Sequence, residues 1–162
     1  MTIRKLPPSI INRISAGEVI TRPLSVIKEL LENSIDAGAS VIRVGYAENI
    51  VMEDNGSGIT EDDFELLCAR YCTSKLSDEC DKKRDILDNV CTYGFRGEAL
   101  ASISDVSTVV VRTKTTNCAY GHVLVYEHGV LISKKKEAMK NGTMITVKDL
   151  FGNNAMRKTL FQ

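Results

Sequence analysis

Apolar residues recur along this chain first at helical spacing and later at alternate positions, and the change of period separates two kinds of element. Val26, Ile27, Leu30, Leu31 and Ile35 form one face of a helix predicted over residues 22–36, with Pro23 suited to its first turn and Gly38 to the left-handed cap after its last. A shorter helix is expected near residues 9–14. Strands follow at 40–45 and 50–52, and Thr60 with Asp63 can cap a third helix running to about residue 70. Residues 73–93 are charged and irregular, and the glycine-bounded turn after them leads into a short apolar helix. Four alternating segments, at 106–112, 119–126, 130–134 and 143–148, predict strands, with a turn at His128-Gly129. Strand after strand with short turns predicts an α/β fold: a mostly antiparallel sheet with the helices covering one face.

A chain of 162 residues with 43% hydrophobic content suffices for one domain with a real core. Its 21 basic and 21 acidic residues cancel, so no global attraction to nucleic acid is expected. Three basic clusters, Lys82-Lys83-Arg84, Lys134-Lys135-Lys136 and Arg157-Lys158, are the places where phosphates could be touched, although solvated surface is the better default for such runs. No apolar run is long enough to span a bilayer, and the first residues lack the apolar centre of a secretory signal, which predicts an intracellular protein. The five cysteines suit a reducing compartment; Cys68, Cys72, Cys80 and Cys91 lack the paired C-x-x-C knuckles of a structural zinc site.

Three polar constellations interrupt these elements. At ~100° per residue Glu29 and Asn33 lie about 40° apart on the helix, with Asp36 close to the same stripe. A carboxylate and an amide are thus presented together, as a magnesium-dependent nucleotide site needs and as any solvated helix face also provides. The second is Glu53-Asp54-Asn55-Gly56-Ser57-Gly58-Ile59 at a strand end, where glycines let the chain turn and a flat ligand approach. A calcium loop is excluded there, because Gly56 and Gly58 occupy ligand positions and Ile59 stands at the required glycine. The third is Gly94-Phe95-Arg96-Gly97-Glu98-Ala99-Leu100, whose free amides at a helix start suit an anion. Thr73-Ser74-Lys75 adds two hydroxyls and an ammonium, and no G-x-x-x-x-G-K-[ST] segment exists.

In this order the E-x-x-x-N helix, the D-x-G-x-G turn, T-S-K, G-F-R-G-E-A-L and Gly142-Thr143 resemble the nucleotide-binding motifs of the GHKL ATPases. Gly17-Glu18-Val19, Arg22-Pro23, Gly94 to Ser104 and Leu150-Phe151 further resemble the MutL mismatch-repair branch, and the likeness runs from about Ile3 to Arg157. Cys68-Ala69-Arg70-Tyr71, Cys118-Ala119-Tyr120 and Ala155 resemble the subunit shared by eukaryotic MutL heterodimers. That resemblance implies the GHKL (Bergerat) two-layer sandwich, with a mixed, mostly antiparallel sheet. It also implies that Glu29 activates the attacking water, that Asn33 binds Mg2+, and that Asp54 accepts from the adenine amine beside Gly58 and Ile59. Asp36 and Ala37 would border the nucleotide, Thr143 would close the adenine end, and Thr73, Ser74, Lys75 with Gly94, Phe95, Arg96, Gly97, Glu98, Ala99 and Leu100 would hold the phosphates of ATP.

The same resemblance implies an amino-terminal arm over residues 1–20 and an ATP lid over 73–93, both facing a second MutL-type subunit in a heterodimer. It also implies MutS-type partners, DNA bound by the full-length protein, no membrane, and a nuclear location. Relatives continue into a second domain, which supplies a lysine to the terminal phosphate, and into a dimerising domain, so hydrolysis by this segment alone is expected to be weak. Two features depart from the pattern: the turn at Tyr46-Ala47-Glu48 is shorter than usual and the lid between Lys75 and Gly94 is several residues longer. Two other readings remain, a non-catalytic nucleotide-binding scaffold and a gyrase, chaperone or histidine-kinase type of the same fold.

Overall fold

The computed structural model describes residues 4–73, 92–93, 97–152 and 154–161. Helix α1 spans Pro8–Val19, α2 Pro23–Asp36, α3 Ala99–Val106 and α4 Ala155–Leu160. The strands are β1 (Ile42–Tyr46), β2 (Ile50–Asp54), β3 (Thr108–Lys114), β4 (Gly121–Glu127), β5 (Val130–Glu137) and β6 (Gly142–Lys148). They form one sheet in the order β1-β2-β6-β3-β4-β5. Every neighbouring pair among the described residues is antiparallel, in keeping with the mostly antiparallel sheet expected.

Period-two alternation turns Ile50 and Met52, Val109 and Val111, Leu124 and Tyr126, and Ile145 and Val147 to one face. Ala16 of α1 and Ile20 just after it, Val26 and Leu30 from α2, and Ile103 and Val106 from α3 cover it, and all of these residues are buried in a single cluster. Burial of each large aliphatic side chain contributes about 1.5–3 kcal/mol. This core fixes the two layers.

Several expected details shift. The buried stripe of α2 is Pro23, Val26, Leu30 and Ser34, while Leu31 and Ile35 are exposed. Spacing by four carries the stripe on to a serine, and that serine finds a carboxylate instead of apolar neighbours. The helix expected from Thr60 to about residue 70 is reduced to a tight turn, Glu61–Asp63, and a run of further turns. The Thr60 hydroxyl donates to the Asp63 carboxylate at 2.6 Å and leaves the backbone uncapped, and the Tyr126 hydroxyl takes the Phe64 carbonyl at 2.7 Å. That carbonyl is the one an α-helix would need for Cys68. Arg157, read as part of a basic cluster, instead donates to the carbonyls of Gly17 at 2.7 Å and Ile20 at 3.2 Å, tying α4 to the end of α1. Lys134, Lys135 and Lys136 lie exposed on the edge strand β5, where lysines discourage further strand pairing. Lys82-Lys83-Arg84, Cys80 and Cys91 lie outside the described residues.

Candidate functional site

Sheet register builds one end of the site. Asp54 lies opposite Thr143, Thr143 opposite Thr113, and Thr113 opposite His122, so a polar row crosses four strands at the end of an otherwise apolar face. The two rows behind it, through Met52, Ile145, Val111 and Leu124 and through Ile50, Val147, Val109 and Tyr126, belong to the core. Polar groups this deep require partners. Thr113 accepts from the Ile59 N–H at 2.9 Å and shares a 3.2 Å hydrogen bond with Thr143. The Ser34 hydroxyl donates to Asp54 Oδ2 at 3.0 Å, and the Gly56 N–H donates to Oδ1 at 2.9 Å. Asp54 is held from both sides in one orientation, with an acceptor edge still available to a ligand's amine.

Helix α2 builds a second part of the wall. Glu29 and Asn33 both line a cavity of about 870 Å³, the amphipathic turn having brought them to one face as expected. Glu32 lines it too, and Lys28 Nζ lies 2.9 Å from Glu32 and 3.5 Å from Glu29. The Glu32 hydrogen bond, followed by the charge of Glu29, raises the pKa of Lys28. At the foot of the helix Asp36 Oδ1 accepts the Tyr93 N–H at 3.0 Å, joining α2 to the far rim.

Asp36, Ala37, Asp54, Gly58, Ile59, Thr73, Gly97, Glu98, Ala99, Leu100 and Thr143 also line this cavity, so the structure gathers distant motifs around one space. Ser74, Lys75, Gly94, Phe95 and Arg96 lie outside the described residues. Gly58 was expected to leave room for a flat ligand. It does border the cavity, but at φ 74 the place of its missing β-carbon is taken by the Lys114 carbonyl, so the glycine serves the close approach of β3. Two residues escaped the sequence reading, Ser34 and Thr113. Their signal was a polar residue in a buried stripe, at the next helical step after Leu30 and the next alternate position after Val111.

The donors at the helical end are carboxylate and amide oxygens, a hard set that suits magnesium. The sheet end offers a fixed carboxylate and hydroxyls. An elongated ligand with a heteroaromatic amine at one end and phosphates at the other matches both.

Residues 21–150 match the family described as histidine kinase-, DNA gyrase B-, and HSP90-like ATPase. The DNA mismatch repair protein MutL of Chlorobium phaeobacteroides is 48% identical over 160 residues, covering 96% of this chain and 25% of that protein. Its counterpart from Lactobacillus acidophilus is 47% identical over 159 residues, 96% of this chain and 24% of that protein. The chain therefore spans about a quarter of the length of these relatives. Among solved structures, the N-terminal domain of a DNA repair protein superposes with a TM-score of 0.76 at 33% identity, over 93% of this chain and 42% of that one. The Aquifex aeolicus MutL ATPase domain complexed with ADP does so with a TM-score of 0.63 at 29% identity, over 87% and 48%.

Proposed function

Since the chain belongs to the histidine kinase-, DNA gyrase B- and HSP90-like ATPase family, in its MutL branch, we propose that its cavity binds and hydrolyses ATP in DNA mismatch repair. The observation that carries this reading is Asp54, locked between Ser34 and Gly56 on the wall of the same cavity that Glu29 and Asn33 line. In the proposed complex Asp54 accepts from the adenine amine, and Thr143 flanks it. Thr73 and the start of α3 from Gly97 to Leu100 face the phosphates, where backbone N–H groups suit anionic oxygens. Glu29 is the general base toward the attacking water. Asn33 is the residue that would hold Mg2+, which neutralises phosphate charge when bound.

By the MutL likeness, residues 1–20 act as an arm and 73–93 as an ATP lid, which together join a second MutL-type subunit when nucleotide binds. MutS-type proteins and DNA are the further partners of the whole protein. An intracellular, nuclear location rests on the eukaryotic-type features at residues 68–71 and 118–120, whereas the two MutL relatives above are bacterial. Glu29 in the cavity weighs against a scaffold without catalysis.

Calorimetric titration of the chain with ATP, in magnesium and in EDTA, tests this. Binding that strengthens with magnesium is expected. Absence of adenine-nucleotide binding in both conditions refutes the reading.

A further inference from the structure

Arg70 stands where three segments meet. Its Nη2 donates to the Asn12 carbonyl of α1 at 2.8 Å and to Asp105 Oδ2 of α3 at 2.7 Å, and its Nη1 lies 3.9 Å from Glu98 Oε1 at the start of α3. The side chain is only 14% exposed, and that of Asp105 is 9% exposed. A planar guanidinium can serve acceptors in several directions at once, which a lysine ammonium on a flexible stem does poorly.

The backbone beside Arg70 is clamped to the phosphate end of the cavity. Tyr71 adopts φ 61, outside the usual range for a bulky residue, and its N–H donates to the Gly97 carbonyl at 2.9 Å. Gly97 has φ 60, and a β-carbon there would lie 2.5 Å from the Cys72 carbonyl. Cys72, Thr73, Gly97 and Glu98 all border the cavity. A left-handed tyrosine persists only where its surroundings hold it, and the nearest strong hold is the buried ion pair of the preceding residue.

We propose that Arg70 is a positioning residue: through Asp105 and Asn12 it fixes the Cys72–Gly97 backbone clamp against α1 and α3, and so sets the affinity of the cavity for phosphates but not for adenine. This role presupposes nucleotide binding at the cavity, as proposed above. It also gives α1 a physical link to the phosphate end.

The test compares two ligands on the full chain, adenosine and ATP, by calorimetry at fixed magnesium. Arg70→Lys is expected to weaken ATP about tenfold and to leave adenosine within about twofold. A merely structural role lowers both affinities together, so equal losses, or unchanged ATP affinity, overturn the proposal. Removing one partner of a buried ion pair strongly destabilises; if Arg70→Lys fails to fold, Asp105→Glu, which keeps the opposing charge, decides by the same comparison. Amide exchange without nucleotide separates this role from the nucleotide reading. If the wild-type chain binds neither ligand, that reading has failed. Faster exchange at Tyr71 in the variant then still supports the clamp, and unchanged exchange overturns it.

Discussion

At the proposed adenine end of the cavity Asp54, Thr113 and Thr143 stand on three hydrogen-bonded strands, whereas at the proposed phosphate end Glu29 and Asn33 stand on one helix and Glu98 opens another. Thr113 and Thr143 meet across the sheet register, so moving either means breaking a ladder, and Asp54 at the end of β2 is held by the Ser34 hydroxyl and the Gly56 N–H. The second end is held by a few side-chain bridges, Asp36 to Tyr93 and Arg70 to Asp105 among them. Recognition of a flat base requires fixed geometry, while phosphoryl chemistry requires groups that close on a substrate. One cavity therefore divides rigidity from adjustability along its length.

The largest expected effect lies at the phosphate end. Glu29→Ala in the full-length protein should lower the hydrolysis rate by about 10²–10⁴-fold, the usual contribution of a general base, with ATP affinity little changed. Steady-state phosphate release together with equilibrium binding checks it, and wild-type turnover would move the base to another carboxylate, Glu32 being the nearest choice on the cavity wall. At the adenine end the expectation reverses. Asp54→Asn should weaken adenine nucleotides by about 2–5 kcal/mol, because an amide can set a donor against the amine and against the Ser34 hydroxyl or the Gly56 N–H. Calorimetry showing unchanged ATP affinity would remove Asp54 from the base-binding role.

The turns from Phe64 to Tyr71 lead to Cys72 and Thr73 on the cavity wall, and Cys68 is their anchor in the core. Burial pushes the Cys68 thiol up to about 12, and burial likewise raises Tyr126, its neighbour in that cluster. Both groups hold their protons more tightly folded than unfolded, so the folded state binds more protons above the ordinary thiol value. Their stabilisation is complete below about pH 9 and is lost as pH rises toward 12, by an amount on the order of a few kcal/mol. Thermal melts from pH 8 to 11 should show this loss, and Cys68→Ala should flatten it. An equally steep alkaline limb in the variant would exclude the thiol as its source.

The large elements were legible because their periods are set by backbone geometry alone. Val109 and Val111 must share a face of a strand, and Glu29 and Asn33 must share a face of a helix, whatever surrounds them. What escaped was decided by partners far away in sequence. Nothing near residue 60 announces that the Tyr126 hydroxyl will donate to the Phe64 carbonyl, and nothing near Gly58 announces the Lys114 carbonyl. Ser34 and Thr113 escaped for a related reason. Each is ordinary as a residue type and becomes informative only when its neighbours on the same face are known to be buried.

Thr113 also yields the smallest and most discriminating test of the contrast between the two ends. Thr113→Val keeps the shape of the side chain but removes the oxygen that accepts the Ile59 N–H and bonds to Thr143. A donor left without its partner costs about 1–3 kcal/mol, here in the loop that carries Gly58 and Ile59 along the cavity wall. Because that loop touches the adenine end, adenosine and ATP should weaken by the same factor, in contrast to Arg70→Lys, where ATP alone should suffer. Titrating both ligands into both variants separates the ends. If Thr113→Val weakens ATP and spares adenosine, the polar row reaches the phosphates and the division of the cavity into a fixed end and an adjustable end is wrong.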